Sequence, residues 1–444
     1  MKILDLEYSS RGRDIDIVEP TLSYLELTQQ CEIKRDWIFQ NPILSIILFR
    51  PDLVIVANGI GSYEHFMTVK FAALWGCKVV TFVSEGDYLE DENSTVEFFW
   101  GWNKDFITYE DLSLQWSERC INLINKYISP SSIAHTHIAL SGATGFDKYR
   151  LCEFMDREKF KKKYKIKFNR IIGIAGWGFD HFFEGYYKNC IDNYSEDDVN
   201  NFKDSLGAVN QGYLEVVKKY PDILFILKMH PLLVNMEYSE FKGLEQFENV
   251  LLLKSEENIY DIIHVCDLWI AFESTTALEA WLLGKTTLLF NPLRSDFKRS
   301  LIADGSPIVK SVEELIDVIN EFYETGKIEC FENRRTDRAK IVSQVIGFAD
   351  GKNFIRASEE ICKLLDSDIP KKRIYNVFIF SMILDACRRV LRDFVVKWKI
   401  FLCIPLLSRR IKKYKKDWGG MYDQQERIQN AAYYKNYVKK FLKI

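Results

Sequence analysis

Ile223-Leu224-Phe225-Ile226-Leu227-Lys228-Met229-His230-Pro231 decides how this chain is read. Five consecutive apolar residues predict a strand buried on both faces, the pattern of a parallel sheet covered by helices. The run stops at a cation, Lys228, and then at a histidine, His230, whose backbone is restricted by Pro231. Lys228 and His230 share strand parity, so both are expected on one side. A His-Pro pair alone is usually structural, and a strand-end lysine is usually a solvated charge. A second apolar run, 268–272, ends in Glu273-Ser274-Thr275-Thr276, followed at once by a helical pattern that contains Glu279. Hydroxyls there can simply cap a helix, yet three in a row exceed one cap's need, and a helix start is also an anion site. Glu279 either accepts ribose hydroxyl hydrogen bonds or favours the helix electrostatically. Two strand ends carrying phosphate-seeking groups imply a nucleotide site at the carboxyl edge of a parallel sheet.

Working outward, strands are predicted at 1–6, 53–57, 78–83, 135–140, 170–174, 250–253 and 287–290. Helices are predicted at 63–75, 112–127, 197–220, 259–265, 276–283, 312–325 and 348–365. The lysine-dense stretch 159–167 reads as a solvated linker between two α/β patterns. His135-Thr136-His137 would put two imidazoles on one strand face, where a polar face is preferred to a zinc pair. A turn, Ser84-Glu85-Gly86-Asp87, closes the strand at 78–83; Glu85 is a candidate general base, with Asp87 the substitute and a polar turn the plain alternative. Gly176-Trp177-Gly178 follows the strand at 170–174 and is a possible cleft loop, although such a glycine pattern is weak evidence by itself.

With 444 residues, 47% of them hydrophobic, the chain has material for two domains and an extension. Ten cysteines without CxxC pairs, and no secretory signal, read as reduced thiols in a cytoplasmic protein. The net charge of −3 conceals an asymmetry. Residues 371–444 hold 19 Lys and Arg against 5 Asp and Glu, a net of +14, which leaves −17 for the rest. Two apolar runs in that basic tail fall short of the ~20 residues of a spanning helix. They fit a helix lying against an anionic membrane surface. A helical tail packed on the body or on a second copy (a homo-oligomer) is the plainer reading, and no motif accompanies the charge that would indicate nucleic acid.

The acidic-Gly, His-Pro and Ser/Thr elements occur in an order that resembles bacterial GT-B glycosyltransferases. The likeness is to those using CMP-activated ulosonic acids (sialic, Kdo, pseudaminic or legionaminic) and to surface-carbohydrate biosynthesis proteins. Ser141-Gly142-Ala143-Thr144-Gly145-Phe146-Asp147 also looks like the Gly-x-x-x-Phe-Asp segment that precedes the interdomain linker there. The resemblance implies two Rossmann-like doubly wound α/β domains with a basic helical C-terminal extension. The expected division is 1–165, 166–345, a crossing helix at 346–370 and a tail at 371–444. It further implies Glu85 as base, and His230, Ser274 and Thr275 on the CMP phosphate. Ser84 departs from the sialyltransferase form, where a second acidic residue often stands. The implied activity is metal- and cofactor-free transfer of an ulosonic acid from CMP to an oligosaccharide or lipid-linked acceptor of capsule or O-antigen, at the inner face of the cytoplasmic membrane. The alternatives are a GT-B transferase or epimerase using UDP or CDP sugars, and a non-catalytic membrane-bound assembly protein.

Overall fold

A computed structural model describes residues 1–10, 12–84, 91–183, 195–230, 235–254, 257–293, 300–367, 372–397 and 422–444. The chain forms two compact units: 1–87, 91–152 and 343–444 in the first, 88–90 and 153–342 in the second.

Each unit holds one six-stranded sheet, parallel throughout. In the first, the strands are β1 (Lys2–Glu7), β2 (Glu32–Trp37), β3 (Leu53–Ala57), β4 (Lys78–Phe82), β5 (Leu112–Gln115) and β6 (His137–Leu140), in the order β2-β1-β3-β4-β5-β6. In the second they are β7 (Arg170–Ala175), β8 (Ile223–Lys228), β9 (Val250–Leu253), β10 (Leu268–Ala271), β11 (Thr286–Phe290) and β12 (Ile308–Val309), in the order β12-β11-β10-β7-β8-β9. The central strands are apolar on both faces because helices cover both. In the second unit, Ile172, Ile174, Phe225 and Leu227 pack with Phe202, Val209 and Val216 of helix Glu196–Lys219. The alternate residues Ile171, Leu224 and Ile226 pack with Ile262, Ile263 and Val265 of helix Ile259–Val265. Helix Glu196–Lys219 opens on a capping box between Ser195 and Asp198, which satisfies two of its free amides.

Several expectations are corrected. Residues 112–127 form strand β5 and then a helix, Glu118–Tyr127, not one helix. Ser117 caps that helix at Cys120 N, and β5 hides its polar alternate residues in pairs, Gln115 donating to Ser113 Oγ at 2.9 Å. The linker at 159–167 is largely a helix, Arg157–Lys163, capped by Asp156 and anchored by fully buried Phe160. Strand β6 begins only at His137, so His135 is off the strand, its ring nitrogens 3.0 Å and 3.2 Å from the carbonyls of Ser131 and Thr108. His137 is exposed beside Glu360. The two imidazoles therefore share no strand face, and no cluster suited to a metal occurs among the described residues. The eight described cysteines are free thiols.

The described residues of 343–444 belong to the first unit. Helix Asn353–Asp366 buries Phe354, Ala357 and Ile361, the last two in the core over β1, β3 and β5. Asp147, of the Gly-x-x-x-Phe-Asp segment, accepts Phe354 N at 2.6 Å. Burial pushes its carboxyl up to about 7. Gly142 has φ +78°, and a Cβ there would strike Asn353 Oδ1 at 2.1 Å; only glycine fits. Helix Val377–Lys397 lies on helices Pro42–Phe49 and Tyr63–Trp75. Helix Gln424–Leu442 lies on helix Arg13–Gln29, and its Arg427 is wholly buried against Glu7 and Glu19. No described helix is long and apolar enough to cross a membrane.

Candidate functional site

The second sheet runs from β7 outward through β8 and β9, then returns to the other side of β7 through β10, β11 and β12. The strand order therefore reverses at β7 and β10, and open α/β sheets bind ligands beyond the carboxyl ends at such a point. Register places Ala271, Ala175 and Lys228 in one row across β10, β7 and β8. The sequence-predicted elements are the next residues of those three strands: Glu273–Thr276, Gly176–Gly178 and His230. With strands ~4.8 Å apart, the two outer elements stand about 10 Å from each other on either side of the glycine loop.

Gly173 and Gly176 have distinct packing roles. A Cβ on Gly173 would sit 2.4 Å from the Trp269 ring of the adjacent strand. A Cβ on Gly176 would lie 2.9 Å from His230 N and 3.0 Å from Lys228 O. Gly176 N donates to Lys228 O at 2.7 Å, which fastens the loop to the His-Pro element. The Trp177 ring packs among Phe179, Phe182, Phe202 and Phe272, so its bulk is structural. Its backbone N–H donates to Glu240 Oε1 at 2.6 Å. Gly178 faces the His181 ring.

His230 is half-buried, its ring 5.7 Å from that of His181 and nearly perpendicular to it. Burial and the neighbouring His181 push its imidazole down to about 4, against the opposing pull of Asp180. At neutral pH the ring is therefore uncharged and offers one N–H donor and one acceptor. Beside it, the Lys228 ammonium donates to the carbonyl of Lys254, just past β9. Pro231 lies outside the described residues, as do Glu85 and Asp87.

At the β10 end, Trp269 Nε1 donates to Thr276 Oγ1 at 2.9 Å, and Thr276 Oγ1 donates to Ser274 Oγ at 2.9 Å. Ser274 Oγ also accepts Thr276 N at 3.2 Å, closing the turn into helix Thr276–Leu282. Glu273 accepts Ser300 N at 3.0 Å and so ties down the chain after β11. Ser274, Thr275 and Thr276 are half-buried, and Glu279 is buried one turn further along.

Sequence reasoning missed Glu240. It follows β8 in an unpatterned stretch, and only the fold turns it beneath the glycine loop. Burial pushes its carboxyl up to about 8, although the Trp177 N–H works in the other direction. Asp180, also buried, accepts Asn235 N at 3.3 Å. Burial thus favours the neutral forms of Glu240 and His230, while Lys228, Glu273 and Glu279 stand along the same sheet edge.

No family model and no curated protein matches this sequence. Solved structures do match its fold. A Listeria monocytogenes protein assigned as a UDP-N-acetylglucosamine 2-epimerase is 13% identical, with TM-score 0.54, over 84% of this chain and 99% of that one. The Neisseria meningitidis UDP-GlcNAc 2-epimerase bound to UDP-GlcNAc is 15% identical, with TM-score 0.51, over 82% and 100%. The S. aureus MnaA structure with UDP is 14% identical, with TM-score 0.52, over 84% and 100%. The fold is GT-B. This comparison corrects the expectation of a CMP-ulosonic acid transferase with a CMP-activated partner. UDP-GlcNAc 2-epimerases are among the structures that share this fold, and two of the three named above carry UDP-GlcNAc or UDP.

Proposed function

We propose that this chain is an enzyme acting on a UDP-activated sugar, with the diphosphate seated across the carboxyl ends of β8, β7 and β10. The carrying observation is the row formed by Lys228, Ala175 and Ala271, which aligns three polar elements at the reversal of strand order. His230 donates its imidazole N–H to a diphosphate oxygen. The Ser274 and Thr275 hydroxyls approach the same group from the β10 side. Bare Gly176 lets the phosphates approach the backbone between them. Glu279 accepts from the ribose hydroxyls. Lys228 supports the His-Pro element by holding the end of β9.

The reaction we favour is inversion at C2 of an N-acetylhexosamine, the activity named for the fold neighbours above. Loss of the C2 proton leaves an electron pair that forms a C1=C2 bond and expels UDP from C1. Return of a proton to the opposite face of C2 and of UDP to C1 completes the inversion, so one group takes a proton and another returns it. Glu85, at the end of the β4 segment, is the proposed carboxylate for this, with Asp87 next. Incubation with UDP-GlcNAc, followed by proton NMR of the anomeric region, tests the reading. Growth of a second UDP-sugar signal is expected, and Glu85→Gln should abolish it without loss of UDP binding. Release of UDP only when an acceptor sugar is supplied would replace epimerisation by transfer. A chain that neither binds UDP nor alters UDP-GlcNAc would contradict the proposal.

A further inference from the structure

Helix Val377–Lys397 belongs to neither sheet, and its two faces differ. The inner face carries Ile379 and Ala386, both buried, with Phe378, Met382 and Ile383 packed beside them against the helices at 42–49 and 63–75. Its placement is fixed by further contacts at both ends. Ile374 N donates to Leu74 O at 2.8 Å, and Asn41 donates to Ala386 O at 3.0 Å. The outer face therefore has a defined direction. It presents Val377, Phe380, Leu384, Cys387 and Leu391, spaced 3, 4, 3 and 4 residues apart, a single apolar line along the helix. Val377 is 86% exposed, Phe380 63%, Leu384 53% and Leu391 65%. Surface apolar residues scattered singly need no explanation; a continuous line does.

Charge selects the occupant. Arg388 on this helix and Lys372 and Arg373 just before it are exposed, Arg373 lying over the Trp75 ring, whereas Asp385 is engaged by Arg389 at 2.8 Å. A second copy docked through the same line would bring this positive charge against itself. An anionic bilayer offers the complement to both features, hydrocarbon for the line and headgroup phosphates for the cations.

We propose that the outer face of helix Val377–Lys397 is a membrane-docking surface, selective for anionic lipid, that holds the first unit at the bilayer interface. The helix lies in the plane of the headgroups and inserts Phe380, Leu384 and Leu391, while Arg373 and Arg388 contact phosphates. This attachment is independent of the nucleotide chemistry.

Flotation of the full-length chain with vesicles tests it. One set contains equal parts phosphatidylglycerol and phosphatidylcholine, the other phosphatidylcholine alone. Wild-type protein should float with the first and not the second. Because Phe380 and Leu384 are exposed, Phe380→Ser with Leu384→Ser should keep the wild-type melting temperature and lower the vesicle-bound ratio about ten-fold or more, the order expected from removing two inserted side chains. Arg373→Glu with Arg388→Glu should also reduce flotation and make the residue weakly salt-dependent. Equal flotation of wild-type and serine variant would overturn the assignment of this face. Failure of the wild type to float would overturn it too, as would a wild-type dimer in light scattering that the serine variant converts to monomer without any vesicle binding.

Discussion

His230 and Glu240, at the edge of the second sheet, are both shifted toward their neutral forms, and burial is the chief cause at each. His230 is held at about 4, below its usual 6.5, by burial, by His181 and despite Asp180. His65, in the first unit, is likewise pushed down to about 4 by burial. A depressed folded value means that the unfolded chain binds protons more readily, so acid favours unfolding. The two histidines therefore contribute a loss of stability as pH drops through 6.5 towards 4, whereas the raised carboxyls of Asp147 and Glu240 contribute a loss as pH rises through 7 and 8. Urea midpoints of wild type and His65→Asn from pH 7.5 to 4.5 isolate one histidine: the variant should gain on the wild type as pH falls below 6.5. Gly176 makes a second residue-scale case. Gly176→Ala places a Cβ 2.9 Å from His230 N, against backbone that cannot swing away. Overpacking of this kind costs ~1–3 kcal/mol, and calorimetry should show UDP binding weakened at least about ten-fold while circular dichroism stays native. These roles were only partly legible in the sequence. His230 and Ser274 announced themselves by standing at the ends of apolar runs. Glu240 has no such signal, since its role depends on a loop folding back under Trp177 N.

Elements were legible where physics writes a simple pattern. β3 and β8 are buried on both faces and read as unbroken apolar runs, and helix Val312–Thr325 matches its periodicity residue for residue. β2 has the sequence Glu-Ile-Lys-Arg-Asp-Trp because it is an edge strand paired only with β1, and nothing in that composition announces a strand. β5 merged with the following helix because its Ser113 and Gln115 are buried through mutual hydrogen bonding, which composition does not reveal. The helix Gln424–Leu442 shows that part of the basic tail's charge is used inside the first unit. Its Arg427 reaches Glu7 at 2.6 Å and lies 3.6 Å from Asp5, with Glu19 also paired to it. Burial pushes the Asp5 and Glu7 carboxyls up; burial works on Glu19 too, but Arg427 and Arg35 hold it below the usual range. Arg427→Met would leave these acids buried around one fewer cation. A loss of ~3–5 kcal/mol is expected, read as a lower urea midpoint. Arg427→Lys should recover only part of it, because an ammonium cannot serve two carboxylates with a planar fork.

At the scale of the molecule, the two α/β sheets were foreseeable from the alternation of strand and helix patterns, but the return of residues 343–444 to the first unit depends on contacts distant in sequence. Asp147 accepts Phe354 N, and Gly142 is shaped around Asn353. Deleting residues 343–444 should therefore leave the first unit without Ala357 and Ile361 in its core, and the fragment is expected to aggregate or lose cooperative unfolding in differential scanning calorimetry. Donor identity was the point at which sequence resemblance misled. The His-Pro and Ser/Thr elements carry phosphate-seeking groups, and such groups do not distinguish one base from another.

The direct measurement is titration calorimetry of the full-length protein with UDP and with CMP, repeated on His230→Ala and Ser274→Ala. The account predicts that UDP binds the wild type, that CMP binds at least about ten-fold more weakly, and that each substitution weakens UDP by a similar factor, the loss expected for one hydrogen bond to a charged group. No UDP binding to the wild type, or UDP affinity unchanged in both variants, would contradict it.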